Sequence, residues 1–163
     1  VMLSGESAAG DYPVEAVKTM SRICCEIEKI TTTGKFDISY NGNNLASSIA
    51  CAACSIASII NADAIIPVSL SGSTIRKVSG FRPNIDIIGC STDERVCRET
   101  SLMWGVTPQL VTEQKDGDAL IREVIDKCKA SGLIKSGSRV VIVAGFPLGV
   151  AGVTNMIRVV DVE

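Results

Sequence analysis

A group of small hydroxyl residues around one glycine is the part of the sequence best suited to chemistry. Ser71, Gly72, Ser73 and Thr74 follow the apolar run 64–68, and a helical pattern begins at Thr74. The first amides of a helix have no partner inside the helix, and the helix dipole places partial positive charge there. Amides and hydroxyls at such a point bind phosphate groups. The turn is therefore a candidate phosphate site.

A simpler interpretation is open for the same turn. Ser73 alone would serve as the N-cap, because a serine oxygen accepts a hydrogen bond from an amide of the first helical turn. Local sequence favours this simpler role. Three basic residues, Arg76, Lys77 and Arg82, follow closely and would supply positive charge to a phosphate.

The turn lies inside a predicted strand–helix–strand unit. The first apolar run, 64–68, is followed by the helical pattern and then by a second apolar run, 85–90, after the break at Arg82 and Pro83. So short a connection predicts parallel strands joined by a right-handed crossover.

The order of elements after residue 45 predicts the fold class. It is helix, strand, helix, strand, helix, strand, helix, strand, strand. This order predicts a three-layer α/β/α sandwich with a five-stranded, mostly parallel sheet whose last strand is antiparallel. The apolar run 139–144 is typical of a central strand, and Pro108 predicts that strand 106–111 lies near an edge.

The first 30 residues differ from the rest. Residues 1–3 look like the end of a buried strand, and an amphipathic helix follows. Because a strand end and one helix cannot bury their apolar faces alone, residues 1–30 are predicted to be the last piece of a larger domain. Residues 31–44, rich in Thr, Gly and Asn, are predicted to be a linker, and residues 45–163 a second domain.

Composition argues against several classes of protein. With 16 basic and 18 acidic residues, the net charge of −2 gives no electrostatic case for nucleic acid or an anionic membrane. The absence of His removes the commonest general base and metal ligand near neutral pH. Seven Cys, with no signal peptide at the start of the sequence, are typical of free thiols in a reducing cytoplasm.

Cys51 and Cys54 have the spacing of metal ligands, which leaves a thiol or metal protein as one alternative function. They fall in the middle of the apolar helix predicted over 45–60, however, and no second pair of this kind exists. No His is present to complete a set of four ligands. Buried packing is therefore the favoured interpretation.

A glycine-rich segment, 145–152, follows the predicted central strand. Alone it would be a simple connection between two strands. In an open α/β sheet, however, ligands bind beyond the carboxyl ends of the strands. The strands ending at Val68 and Ala144 would both release loops at that edge, so segment 146–151 is expected to cover a phosphate bound at 71–74.

Three segments together resemble the pyruvate kinase family. Residues 1–17, VMLSGESAAGDYPVEAV, are similar to the end of that family's catalytic barrel, with Ser7 in place of the more usual Thr. SGSTIRKVSGFRP (71–83) resembles its phosphate-loop region. AGFPLGVAGVTNMIRV (144–159) resembles its effector loop and last strand, of the bacterial type.

The resemblance implies a regulatory C-terminal domain of a glycolytic enzyme that transfers phosphate from phosphoenolpyruvate to ADP. It implies a cytoplasmic, homotetrameric parent enzyme that uses Mg²⁺ and K⁺, with no cofactor or metal site in this chain. The family's catalytic Lys and metal-binding carboxylates lie earlier in the barrel, so the chain is expected to be an inactive fragment. Ser4 and Glu6 match residues that border the family's active site.

The resemblance also implies an effector site. Its phosphate-binding residues would be Ser69, Ser71, Gly72, Ser73 and Thr74, and its effector loop Gly145, Phe146, Pro147, Gly149, Val150, Ala151 and Gly152. Members that bind fructose 1,6-bisphosphate often hold the second phosphate with a Trp and an Arg near the helix that here begins around Asp116. Leu120 stands where the Arg is expected, so the expected ligand is a sugar monophosphate or AMP. A stand-alone phosphate-binding module of the same fold is the alternative.

Overall fold

The computed structural model of the chain describes residues 1–30, 44–150 and 152–163. The chain divides into two compact units, Val1–Lys35 and Phe36–Glu163. The predicted linker, 31–44, lies outside the described residues except for Asn44. None of the helices in the described ranges combines the length and the hydropathy needed to cross a membrane.

The described residues of the first unit, 1–30, form the helices α1 (Gly5–Ala8) and α2 (Pro13–Ile30). The strand end predicted at residues 1–3 is wrong: these residues form no strand, and Val1 and Met2 are exposed. A strand exists only when a neighbouring strand pairs with its backbone groups, and none of the described residues pairs with this segment. Four apolar residues of α2 are also exposed: Val14, Val17, Ile23 and Ile27.

The second unit is built on one five-stranded sheet in the order β3-β2-β1-β4-β5. The strands are β1 (Ala64–Pro67), β2 (Asp86–Ser91), β3 (Val106–Leu110), β4 (Arg139–Ala144) and β5 (Met156–Asp161). The first four are mutually parallel, and β5 pairs antiparallel with β4. The predicted sheet is therefore confirmed, including the edge position of the strand that contains Pro108.

Helices cover both faces of this sheet. They are α3 (Leu45–Ile59), α4 (Ser73–Gly80), α5 (Glu94–Thr100) and α6 (Gly117–Ala130). Successive residues of a strand point to opposite faces. Ile65 of β1 packs in a core cluster with α3 and α4, whereas Ile66 packs in a second cluster with α6. The three-layer α/β/α sandwich is confirmed.

The start of α4 differs from the prediction. The helix begins at Ser73, one residue early, and its N-cap is Gly72 with a φ of 74°. Ser73 is therefore not the capping residue. The backbone passes through the left-handed region at this point, which glycine adopts without the steric cost that other residues incur.

The chain order produces a switch point between β1 and β4. From β1 the chain runs through α4 to β2 and through α5 to β3, and α6 then returns it to β4 on the other side of β1. The segments that leave β1 and β4 therefore diverge to opposite sides. Such a divergence opens a crevice at the carboxyl ends of the strands, where ligands of open α/β sheets bind.

Candidate functional site

A cavity of about 60 Å³ lies at this switch point. The segments that follow β1, β2, β3 and β4 all contribute to its walls, together with α4 and α6. Its polar lining consists of Ser69, Ser73, Thr74, Ser91, Thr92, Glu113 and Gln114. The other lining residues are Val68, Leu70, Leu120, Ala144, Gly145, Leu148, Gly149, Val150, Gly152 and Val153. The cavity thus has a polar wall beside a mostly apolar cover.

Ser69, which follows β1, is part of the polar wall. It is only 9% exposed, and its hydroxyl makes no hydrogen bond with the described residues. Its amide donates to the carbonyl oxygen of Cys90 at 3.0 Å, which fixes the backbone to the neighbouring strand. No fully buried side-chain oxygen or nitrogen among the described residues lacks a partner, so the Ser69 hydroxyl is accessible and is available to a group inside the cavity.

The amino terminus of α4 borders the same cavity through Ser73 and Thr74. Because the first helical hydrogen bond runs from the Arg76 amide to the Gly72 oxygen at 2.9 Å, the amides of Ser73, Thr74 and Ile75 have no partner within the helix. These amides and the helix dipole supply partial positive charge. They are suited to bind an anion.

The hydroxyl of Thr74 is shared with the segment that enters β5. Thr74 Oγ1 and Thr154 Oγ1 lie 2.7 Å apart in a buried hydrogen bond in which either atom is the donor. The start of α4 is therefore connected directly to the far end of the glycine-rich segment.

Gly72 supports this turn without lining the cavity. A Cβ at this position would lie 3.3 Å from both Val96 and Thr100 of α5. Together with the positive φ, this close packing makes glycine the residue that fits. Ser71, by contrast, is exposed and lies outside the cavity lining.

The glycine-rich segment covers the cavity in part. Gly145, Gly149, Val150 and Gly152 line it, whereas Phe146 and Pro147 do not. Phe146 packs instead beside Gly117, where a Cβ would lie 2.7 Å from its ring. Ala151 lies outside the described residues.

The two ends of this segment are held together at its base. The Asn155 side chain accepts a hydrogen bond from the Phe146 amide at 2.9 Å and donates one to the Phe146 oxygen at 2.7 Å. A Cβ at Gly145 would collide with the carbonyl oxygen of Val153. The base of the cover is therefore closely packed.

The expected basic residues do not reach this cavity. Arg76 and Lys77 border a separate cleft beside Phe81, and Arg82 lies over the Trp104 ring, 6.0 Å from its centroid. The expectation that they supply charge to the site is therefore wrong for this structure. The cause is the orientation of α4, whose buried side faces the sheet and leaves Arg76 in solvent.

Four polar lining residues were missed by the sequence analysis: Ser91, Thr92, Glu113 and Gln114. The first two stand at or just after the end of β2, and the other two follow β3. All carboxyl ends of a parallel sheet share one edge, so the rule that singled out Val68 and Ala144 would also have found these residues.

The two candidate residues of the first unit interact with each other. The Ser4 amide and hydroxyl donate to Glu6 Oε2 at 3.1 and 3.2 Å. Hydrogen bonds from backbone amides, with a further one from the Ser4 hydroxyl, lower the pKa of Glu6. The carboxylate is therefore charged and held in its own turn.

The predicted burial of Cys51 and Cys54 is confirmed. Cys54 is fully buried in α3, and burial, with a smaller effect of Cys51, raises its pKa to about 12. A neutral thiol is a poor nucleophile and metal ligand. Within the described ranges, no group of three His, Cys, Asp or Glu residues is placed to hold a metal ion.

Comparison with known proteins identifies one family. The model of the family described as "Pyruvate kinase, alpha/beta domain" matches residues 47–160. A pyruvate kinase of Clostridium acetobutylicum is 40% identical over 166 aligned positions, which cover 100% of this chain and 35% of that protein. Pyruvate kinases of Staphylococcus epidermidis and Staphylococcus aureus are 36% identical, over 98% of this chain and 28% of theirs. The chain thus spans about a third of the length of these relatives, and it belongs to the family of the pyruvate kinase alpha/beta domain.

Proposed function

We propose that the chain is the regulatory part of a pyruvate kinase and that its cavity binds a phosphorylated effector, a sugar monophosphate or AMP. The observation that supports this most is the convergence of the free Ser69 hydroxyl with the unpaired amides of α4 at one cavity. The parent enzyme would transfer phosphate from phosphoenolpyruvate to ADP with Mg²⁺ and K⁺, in the cytoplasm. An independent binding module would also hold phosphate, but the alignment with relatives includes the first unit, which favours the regulatory role.

The described residues that line the cavity include no basic side chain, so amides and hydroxyls would hold the phosphate. Its oxygens would accept hydrogen bonds from the amides of Ser73 and Thr74 and from the hydroxyls of Ser69 and Ser73. Hydrogen bonds to a charged group contribute about 1.5–3 kcal/mol each. Loss of two would therefore weaken binding by about a hundredfold or more.

The rest of the effector would displace the cover. A volume of about 60 Å³ holds a few water molecules, which is less than a sugar or a nucleoside occupies. Segment 145–152 would therefore move outward while its base, held by Asn155, stays in place. Val150 and Leu148 would then contact the carbon skeleton of the ligand.

The chain on its own would not catalyse the reaction, because the family's catalytic Lys and metal-binding carboxylates match no part of it. A coupled assay with phosphoenolpyruvate, ADP, Mg²⁺ and K⁺ should show no turnover. Turnover that remains with the chain through extensive purification would contradict this expectation.

The last strand is the proposed contact between copies. β5 is an edge strand that pairs with β4 on one side, and Val159 is 45% exposed. An edge strand offers unpaired backbone groups to a second chain, and such contacts usually follow two-fold symmetry. We expect self-association, up to a tetramer in the full-length enzyme. A strict monomer at high concentration in sedimentation would contradict this proposal.

The binding proposal is tested by calorimetric titration of the full-length enzyme. The ligands are AMP, ribose 5-phosphate, glucose 6-phosphate and fructose 1,6-bisphosphate. At least one monophosphate should bind saturably, with little advantage for the bisphosphate. If none of the four binds, the proposed effector site is wrong.

A further inference from the structure

Glu113 stands out within the cavity, because no other ionisable residue in the described ranges lines it. We propose that Glu113 selects the effector: its carboxylate accepts a hydroxyl of a monophosphate and repels the second phosphate of a bisphosphate. This inference rests on the proposed function and adds to it the residue that determines ligand class.

The segment that carries Glu113 is held against α6. Thr112 donates two hydrogen bonds to Glu123 Oε1, from its hydroxyl at 2.6 Å and from its amide at 3.0 Å. Gln114 Nε2 donates to Thr112 Oγ1 at 3.1 Å. Glu113 itself makes no hydrogen bond or ion pair with the described residues. These bonds hold the residues on both sides of Glu113, while its own side chain is exposed and remains available to a ligand.

The cations near this segment do not offset the charge of Glu113. Arg158 is paired with Asp118 at 2.6 Å, and Lys115 is absent from the lining. Leu120, which lines the cavity at 5% exposure, adds only apolar surface. A second phosphate at this end would therefore meet a negative charge, and no lining residue within the described ranges is a compensating cation.

The polar wall gives the ligand a defined orientation. The unpartnered Ser69 hydroxyl and the amides of Ser73 and Thr74 lie on α4 and the turn before it, whereas Glu113 comes from the segment after β3. A phosphate held by the amides directs the uncharged part of the ligand toward the remaining lining. Hydroxyl groups can donate to a carboxylate, but a phosphate dianion cannot. Discrimination by an unfavourable charge contact is a common source of specificity.

Fructose 6-phosphate and fructose 1,6-bisphosphate test this proposal, because they differ only in the second phosphate. Calorimetry on the full-length enzyme should show that the monophosphate binds at least about fivefold more tightly, the order expected for one like-charge contact near a protein surface. In Glu113→Gln the affinity for the bisphosphate should rise by about fivefold or more, and in Glu113→Lys further still. Affinity for the monophosphate should fall in both variants, because its hydroxyl loses the hydrogen bond to the carboxylate, so the ratio of the two affinities should shift toward the bisphosphate.

Asp126→Asn is the matched control, since it removes one carboxylate from the exposed side of α6. It should leave the ratio of the two affinities unchanged, and thermal melts establish that each variant is folded. If fructose 6-phosphate binds but Glu113→Gln leaves the ratio unchanged, the role of Glu113 is wrong while the effector site stands. If neither ligand binds to any of these proteins, both proposals are overturned.

Discussion

The two walls of the cavity are built in different ways. The turn that carries Ser69, Ser73 and Thr74 of the polar wall is fixed at three points: Ser69 bonds to β2, Gly72 packs on α5 and Thr74 bonds to Thr154. The cover, segment 145–153, is fixed at its base, where Asn155 binds Phe146 and Gly145 packs against Val153. Between these points its exposed residues include Gly149 and Val150.

This difference suggests a division of roles. A wall whose backbone is held by the sheet and two helices presents amides and hydroxyls in one geometry, which suits recognition of a phosphate. The cover is held at its base and through Leu148, which packs against the core, so a change of shape at the exposed Gly149 and Val150 leaves the fold intact. We expect substitutions in the polar wall to change affinity, and substitutions at the base of the cover to change stability.

The largest effect is expected at the base of the cover. Gly145→Ala would force a Cβ against the Val153 oxygen, so the end of β4 and the segment that leads into β5 must separate. Overpacking of this kind costs about 1–3 kcal/mol or more, and the melting temperature should fall by roughly 5–10 °C. Gly80→Ala is the control, because a Cβ there meets nothing within 4 Å. Equal melting temperatures for the two variants would show that the base is not closely packed.

A large effect on binding, with little effect on the fold, is expected in the polar wall. Ser73→Asp places a carboxylate where the phosphate would sit, and binding of a phosphomonoester should weaken by at least about a hundredfold. The fold should be retained because an acidic residue in the first turn of a helix is favourable.

Ser71→Asp is the matched control for that change. Ser71 precedes the same helix but is exposed and outside the cavity lining, so its substitution should weaken binding by less than about tenfold. Calorimetry on both variants shows which of the two serine positions affects binding of the phosphomonoester. If the Ser73→Asp variant binds the phosphomonoester as tightly as the unmodified protein does, Ser73 is not part of the site.

The smallest expected effect is a change in the pKa of Glu123, which accepts hydrogen bonds from Thr112 beside the cavity. The side-chain hydrogen bond from Thr112, followed by that from its amide, lowers the pKa of Glu123 from its ordinary value. A lowered pKa in the folded state stabilises the protein above the unfolded pKa, and this contribution is lost as the pH falls through the folded value. NMR titration of the Glu123 carboxyl should give a pKa that rises in Thr112→Val. An unchanged pKa would show that the Thr112 hydroxyl does not hold this segment.

Much of the fold could be predicted from the sequence because its signals are local. The apolar run ending at Ala144 predicts a central strand, and Pro108 predicts an edge. The strand predicted at residues 1–3 was wrong, because a strand needs a neighbouring strand to pair with and local sequence does not reveal one. The predicted start of α4 was wrong by one residue, because the positive φ at Gly72 depends on packing against α5.

The candidate site could be predicted only in part. The turn before α4 and the glycine-rich segment were assigned to one edge of the sheet, and the structure brings them to one cavity. The side of α4 that Arg76 occupies depends on tertiary packing, so its absence from the cavity could not be foreseen. Glu113 is distant in sequence from Ser69, Ser73 and Thr74, and the shared carboxyl edge of the parallel strands brings them together. Applying that rule to the strand before Glu113 would therefore have found it.

A crystal structure of the full-length enzyme with a bound phosphomonoester, such as glucose 6-phosphate, tests the central claim most directly. We predict that the phosphate oxygens lie within hydrogen-bond distance of the Ser73 and Thr74 amides, with segment 145–152 displaced around the sugar. A phosphate bound elsewhere, for example in the cleft bordered by Arg76 and Lys77, would contradict the account.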